Sequence, residues 1–532
     1  MNAIANIKTD AKKFGGLKET ESLLKETNTQ ELVIALCGPI GSPIKMVRDA
    51  FERSIVSGYG YECNIIKLSE IIKENVKIDI PQSPENKRLE ALIAGGNSLR
   101  SDFGASILAD FAVSKIAINR AEYKLKSKTI THKGRRVCFI IDSIKNQAEM
   151  DLLRQVYREL LYVVGVFSPM PQREKNLTAG IKNATAEMVK SLIEKDASSS
   201  GYSGQTVSDT FPQSDFFLRV DGGSESALNL KVKRFLDLIL GAKIITPTAD
   251  ESAMYAAASA AGNSACLSRQ VGAAVASEDG QLLSVGWNDV PKPFGGLYQN
   301  DYGQDPAGEK DFRCHNKGGK CFNDEEKDFL AENIIDSLGA DLIDGSKRED
   351  AIKKIASDTK IKGLIEFSRA VHAEMHAILN ALKISGAKVE GGSIYVTTYP
   401  CHGCARHIVA AGIANVYYIE PYKKSLATKL HEDSITEVES ERDLVRILPY
   451  DGVAPSRYYS LFKMGNTKRK DGGKVVRIAP NEAVPRSEKS LQSLPVLEAI
   501  VVRNLESKGL LSADVESKAV LGGDDGQHTD GA

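Results

Sequence analysis

The sequence predicts a two-domain α/β protein, a parallel sheet with flanking helices first and a smaller α/β/α layer after it. Three observations carry that reading. Short, nearly continuous apolar runs recur between helical patterns in the first 240 residues. Runs of this kind are what strands buried on both faces look like. A second strand–helix series starts near Thr246. The chain has 532 residues, whereas a single core stops growing at about 250–300.

The first strand is Glu31–Cys37, ELVIALC, running into the glycine- and proline-rich turn CGPIGSP and then the helical IKMVRDAFERSIVSGYG. A second buried strand is expected over Arg135–Asp142 and a third at YVVGVFS, with the helix QAEMDLLRQVYRELL between them. Such alternation implies parallel pairing with helices on both faces. Residues 192–215, rich in Ser, Gly and Asp, are expected to contain loops, and LNLKVKRFLDLILG is read as a helix leading to the second domain. There Pro247 suits a helix start ahead of DESAMYAAASAAG. Strands QVGAAVAS and LLSVGW follow, then a long polar insertion over roughly 289–360. FSRAVHAEMHAILNAL (helix), SIYVTTY (strand), CARHIVAAG (helix) and NVYYIE (strand) complete the layer. The expected domains are 1–240, 246–463 and a mostly disordered tail, 464–532, with one short helix around Pro495–Leu505.

Composition narrows the function classes. Lys+Arg 69 against Asp+Glu 70 gives a formal charge of −1, which argues against a protein that coats DNA. The first thirty residues do not read as a signal peptide. No stretch reaches the roughly 18 uninterrupted apolar residues of a membrane span. Eight cysteines in 532 residues are too sparse for a disulfide scaffold and read as buried thiols or metal ligands. A cytoplasmic location is expected.

The strongest chemical signal is His372-Ala373-Glu374 followed by Pro400-Cys401-His402-Gly403-Cys404. H-x-E…P-C-x-x-C is the signature of the zinc deaminases. Three N/S ligands, His372, Cys401 and Cys404, leave a fourth zinc position open for water, as catalysis requires. Cysteines three apart at a helix N-terminus turn their sulfurs to one spot, where the helix dipole favours thiolate. Glu374, two residues from a ligand, is the expected proton shuttle. A purely structural zinc would want a fourth ligand close by, and His376 or His402 could stand in, but neither accounts for the glutamate. Cys314, His315 and Cys321 in the insertion are read as ordinary residues in preference to a second zinc site.

SRQVGAAVASEDGQLLSVGWND (268–289), then HAE, then TTYPCHGCARHIVAAGI (397–413) resembles the deoxycytidylate deaminase family. The resemblance covers roughly 246–463. It implies that Asn288 holds the sugar, that Ala373 and Glu374 contact the base, and that Arg269 lies near the phosphate end. Trp287 departs from the family's usual Tyr. In Pro421-Tyr422-Lys423-Lys424-Ser425 the ring of Tyr422 could stack on a base beside two ammonium groups; a solvated helix start is the equal alternative.

The turn CGPIGSPIK resembles a P-loop, a strand before it and a helix after. Gly38, Pro39, Ile40, Gly41 and Ser42 would form the phosphate cradle, with Asp142 as a Walker B carboxylate. Pro43 replaces the last glycine, Ile44 occupies the lysine position, and Lys45 stands where Ser or Thr would hold Mg²⁺. GGNSLRSDFG (95–104), Arg154 and Arg173 echo nucleotide-monophosphate kinases, whose arginines bind phosphates. A kinase-like fold is expected, sensing a nucleotide such as ATP or GTP in preference to transferring phosphoryl groups.

A P-loop kinase-like domain followed by a cytidine-deaminase-like domain resembles the two-domain antiphage dCTP/dCMP deaminases of the AvcD (DcdV) type. That resemblance implies an enzyme that drains deoxycytidine nucleotides and is held by a small RNA or peptide inhibitor encoded nearby. A homo-oligomer is also expected. Two alternatives stay open: a housekeeping dCMP deaminase supplying dUMP, and a deaminase of cytosine or adenine in tRNA or single-stranded DNA. The latter would want a basic groove with aromatic platforms, whereas the chain has one Trp.

Overall fold

The computed structural model describes residues 28–127, 135–197 and 205–510, apart from 223, 302, 304, 340–341, 423–424, 465–468 and 487–493. Two six-stranded sheets organise it. The first half contributes β1 (Leu32–Cys37), α1 (Ile44–Arg53), β2 (Glu62–Lys67), α2 (Leu68–Asn75), α3 (Glu85–Phe103) and α4 (Ile107–Ser127). It continues with β3 (Val137–Ile144), α5 (Gln147–Tyr157), β4 (Leu161–Phe167), α6 (Met170–Gly180), α7 (Ala186–Ala197), β5 (Phe216–Arg219) and α8 (Glu225–Ile239). The strands run in the order 5-4-1-3-2, all parallel. β1 is buried at every residue, which is why its sequence is continuous and not alternating. The chain builds β2 and β3 on one side of β1 and β4 and β5 on the other, so the loop after β1 lies at a topological switch point, where α/β sheets bind ligands.

The second half supplies α9 (Ala249–Ala261), β6 (Gly272–Ala276), β7 (Leu282–Trp287), α10 (Phe322–Leu338), α11 (Arg348–Asp358), α12 (Ala373–Ser385) and β8 (Ser393–Thr398). After these come α13 (His402–Ala410), β9 (Asn415–Glu420), β10 (Ile435–Thr436), β11 (Val445–Pro449), β12 (Gly452–Val453) and α14 (Pro455–Phe462). The second sheet has the order 10-11-9-8-6-7, with β6 antiparallel to both neighbours. Close packing fixes two glycines here. A Cβ on Gly272 would lie 1.9 Å from the Ala257 carbonyl oxygen, and one on Gly286 would lie 2.3 Å from the Ala377 nitrogen. These contacts press α9 onto β6, and α12 onto β7.

The two halves share one body. β12 pairs antiparallel with β5, so the chain's second half closes the edge of the first sheet. Arg219–Glu439 at 2.7 Å, Arg234–Glu251 at 2.6 Å and Arg457–Asp215 at 2.9 Å cross the same seam. The tail expected to be mostly disordered returns to the first half. The expected short helix spans Leu494–Ser507 (α15) and buries Leu494, Val501 and Leu505 in that half's core. Glu498 on it reaches the buried Arg120, which also pairs with Glu31 at 2.5 Å. A hairpin forms at Lys470–Val475, and the polar end, 511–532, lies outside the described residues. The polar insertion is not merely loop, since it carries α10 and α11 in its second half. Among the described residues no helix is long and apolar enough to cross a membrane.

Candidate active site

His372 is the N-cap residue of α12, and Cys401 the N-cap residue of α13. Both helix N-termini therefore converge on one point beside the end of β8. The Cys401 sulfur accepts the Cys404 amide at 3.4 Å, and His372 Nδ1 lies 3.4 Å from Cys401 Sγ and 3.2 Å from Cys404 Sγ. Hydrogen bonds from Cys404 and from His372 drive the Cys401 thiol down to about 4, against burial. His372 rises to about 9, chiefly through its bond to Cys401. Cys404 moves the opposite way, well above the ordinary thiol range, because it is the donor to Cys401. The three side chains thus have chiefly one another as polar partners.

The donor set fits zinc. The three ligand atoms lie within 4.8 Å of one another. Zn–N and Zn–S bonds in a tetrahedron require N···S edges of roughly 3.6 Å, close to the two measured here. Among the described residues this is the one His/Cys/Asp/Glu group gathered for a metal ion. Cys314, His315 and Cys321 are not gathered into a second such group among the described residues. His376 turns away to accept the Trp287 amide at 3.3 Å, and His402 faces Glu366 at 3.7 Å, so neither supplies a fourth ligand.

Glu374, 4% exposed, lies one residue into α12 and lines a cavity of about 290 Å³ together with His372 and Cys401. Burial pushes its carboxyl above the usual range, partly offset by His372. A raised carboxyl suits a group that must both take up and give back a proton. Asn288, Ala373, Arg269 and Tyr422 line the same cavity. Asn288 is also a structural tie, accepting the Val271 amide at 2.7 Å and donating to the Arg269 carbonyl at 2.8 Å. That leaves one N–H and one lone pair of its amide for a ligand. Arg269 is exposed and stands 3.7 Å from Glu420. Trp287 packs edge-on against His376 and does not line the cavity. Lys423 and Lys424 lie outside the described residues.

Sequence reasoning missed the cavity's other wall. The insertion contributes Cys314, Cys321 and Phe322 to the lining, and Ser368 and Arg369 join them from the segment between it and α12. Arg369 stacks on the Phe322 ring at 5.0 Å and donates to the Phe312 carbonyl at 3.2 Å. The insertion is anchored by Arg313, buried between Asp311 at 2.6 Å and Asp289 at 3.5 Å. The signal was present in FNDEEKDFLAENIIDSL, whose acidic first turn marks a helix start.

Residues 247–420 match the family described as the cytidine and deoxycytidylate deaminase zinc-binding region. The chain's second half contains a domain of that family. ComE operon protein 2 of Bacillus subtilis is 47% identical over 73 residues, 14% of this chain and 38% of that protein. The deoxycytidylate deaminase of Enterobacteria phage T4 is 28% identical over 162 residues, 30% of this chain and 72% of its own length. The chain thus spans well under half of the Bacillus relative. Among solved structures, the apo dCMP deaminase of cyanophage S-TIM5 overlaps 39% of this chain and 100% of its own, at 18% identity and a TM-score of 0.21. A shikimate kinase from Acinetobacter baumannii overlaps 42% of this chain and 99% of its own, at 12% and 0.24.

Outside the deaminase domain, the glycine loop is bound mainly to its own fold. The Ile40 amide donates to Asp196 at 2.7 Å, and Lys145 spans Asp196 at 2.9 Å and the Gly38 carbonyl at 2.8 Å. Arg173 donates to the Ile40 carbonyl and Asn176 to the Gly41 carbonyl, each at 2.8 Å. The Ser42 amide returns to the Pro39 carbonyl at 3.1 Å, and Pro39 and Pro43 have no N–H to offer. Asp142 is paired with the buried Arg48 at 2.8 Å, and the exposed Lys45 with Asp49 at 2.8 Å. Two of the three arginines expected to echo phosphate ligands are structural as well. Arg100 is buried against Glu149 and Arg154 bridges Asp215. A polar cleft of about 840 Å³ opens beside the loop, lined by Ser42, Lys45, Arg53, Arg88 and Asp142.

Proposed function

We propose that the protein is a zinc-dependent hydrolase that deaminates deoxycytidine nucleotides, dCTP or dCMP, to the deoxyuridine forms. The observation that carries this is Glu374, buried beside the His372–Cys401–Cys404 cluster in a nucleotide-sized cavity. Zinc, when bound, supplies a Lewis-acid centre that activates water. Glu374 takes the proton of that water and passes it to ring N3 as oxygen adds at C4. It then takes the proton of the hydroxyl now on C4 and delivers it to the leaving amine, so that water is consumed, ammonia is released and a carbonyl replaces the amino group. Ala373 and Asn288 orient base and sugar, and Arg269 meets the phosphate end. The wall of Phe322 and Arg369 keeps bulk water from the ring.

The partner domain, in this reading, senses a nucleoside triphosphate in the cleft beside the glycine loop and does not transfer phosphoryl groups. Asp196 already takes one loop amide, and Ile44 stands where a charge-neutralising lysine would be needed. The two-domain order supports a defensive role, draining deoxycytidine nucleotides during phage replication under a nearby-encoded RNA or peptide inhibitor. The test is ammonia release by purified zinc-loaded protein from dCMP, dCTP and a cytosine-containing oligonucleotide. Release from the mononucleotides alone is expected. Release from the oligonucleotide alone would replace the reading with a polynucleotide deaminase, and none from any substrate would end it.

A further inference from the structure

A second cavity lies between the two halves. It measures about 310 Å³, near the lower end of small-molecule sites at about 300–1,000 Å³. The first half supplies Pro39 of the glycine loop, Phe167, Phe211 and Arg173 to its wall. Tyr418 and Glu437 face them from the second half. Tyr399 and Tyr422 line both this cavity and the one at the cluster, so two tyrosines form the partition.

Arg173 is the unexplained group. It is 6% exposed, and its Nε is used by the Ile40 carbonyl. Nη1 has only the Met170 sulfur at 3.9 Å, and Nη2 has no partner. Asp196, the nearest acid, is satisfied by Lys145 and the Ile40 amide. Across the cavity, Glu437 accepts the Tyr399 hydroxyl at 2.9 Å, and burial pushes its carboxyl up, away from the charged form. One guanidinium in the wall of an aromatic cavity is therefore left with an unbonded N–H edge, Asp196 and Glu174 acting on it only through space. Leaving a buried cation unpaired is costly, and the ligand that removes that cost is an anion. Rings on several walls select a planar body, and the volume limits it to one or two fused rings.

We propose that this interdomain cavity is a binding site for a small aromatic monoanion, held by Arg173 and sensed at the deaminase centre through Tyr399 and Tyr422. An occupant would touch the glycine loop through the Arg173–Ile40 link on one side and the shared tyrosines on the other. It would act as an effector of the deaminase domain and not as its substrate.

The test uses the full chain, zinc-loaded, in titration calorimetry without substrate. The probes are orotate, benzoate (the carboxylate without ring carbonyls) and uracil (the ring without the carboxylate). Orotate and benzoate are expected to bind and uracil to bind at least about tenfold more weakly, the loss of one charge-assisted bond. Met170, 40% exposed at the cavity rim, gives the variant that spares the fold. Met170→Trp fills the space and is expected to weaken orotate at least about tenfold while zinc content and Tm stay as in wild type. Arg173→Gln is expected to remove the preference for anions. Orotate binding unchanged in Met170→Trp, uracil binding as well as orotate, or no binding by any probe overturns the site. Orotate should also shift the substrate KM by about threefold or more in wild type and not in Met170→Trp. An unmoved KM with binding intact overturns the link through the tyrosines. Because binding is read without substrate, failure of the site and failure of the deaminase reading are separable.

Discussion

The His372–Cys401–Cys404 cluster and the glycine loop both gather at helix N-termini and carry a recognisable motif, yet they treat their polar groups in opposite ways. At the cluster, His372, Cys401 and Cys404 have mainly one another as partners, and Glu374 faces a cavity. At the glycine loop, an amide and three carbonyls are already bound by Asp196, Lys145, Arg173 and Asn176. Groups left facing each other in a cavity await a cation or substrate. Groups tied to neighbouring helices hold the fold. A motif names the residue types, and the partners decide which of the two outcomes holds.

The largest expected effect tests the first side of that contrast. Cys401→Ala or Cys404→Ala leaves two ligands and should lose both zinc and turnover. Atomic absorption at wild-type stoichiometry in Cys404→Ala would sink the ligand assignment. Glu374→Ala should keep the metal and lose at least about 10²–10⁴ in turnover, the usual contribution of a positioned acid–base group. Near-normal ammonia release in that variant would refute the proton-shuttle role.

A second expectation concerns what closes the cavity. Hydrogen bonds from Arg313 hold the Asp311 carboxyl below the usual carboxylate range. A depressed folded-state pKa stabilises the fold fully above the unfolded value and loses that contribution as pH falls through the folded value. The insertion should therefore loosen below the ordinary Asp range, and not at alkaline pH. Asp311→Asn should loosen it at neutral pH as well, by about 3 kcal/mol, the usual cost of breaking a buried pair. Hydrogen exchange over residues 305–320 is the readout. Protection that is the same at pH 3 and pH 7 in the wild type would remove Arg313 as the anchor.

The sequence made the buried strands and the cluster legible for one physical reason: each depends on a local pattern. β1, β3 and β4 read as apolar runs because both of their faces are covered, and the two zinc-ligand pieces keep a fixed spacing. β2, ECNIIK, was not seen, since its edge position leaves polar residues on it. β12 is two residues long, and only its pairing with β5 makes it a strand. α15 was read as a short helix in a disordered tail because its partner, α4, lies some 380 residues away in sequence. The same distance problem hid the insertion's part in the cavity. It also hid the contacts of Arg173 and Asp196, both of which are set by folding alone.

The smallest expected effects sharpen the glycine-loop side of the contrast. Gly41 has φ +85°, and a Cβ there would lie 2.7 Å from the Arg173 carbonyl oxygen. Gly41→Val would therefore strain the turn whether or not a phosphate ever binds, so its loss of function could not report on phosphate approach. Lys45 is the better probe, because its side chain is 80% exposed and its bond to Asp49 is a surface pair within α1. Such pairs contribute about 0–1 kcal/mol, so Lys45→Ala should leave Tm and zinc content within error of wild type. If the adjoining cleft takes a nucleoside triphosphate, removing this cation should weaken ATP or GTP binding by about three- to tenfold, and less at high salt. Binding by Lys45→Ala equal to wild type at low salt would show that the triphosphate does not use the loop end of the cleft. The loop would then be, as its internal hydrogen bonds already make it, a structural turn that ties α6 and α7 to the end of β1.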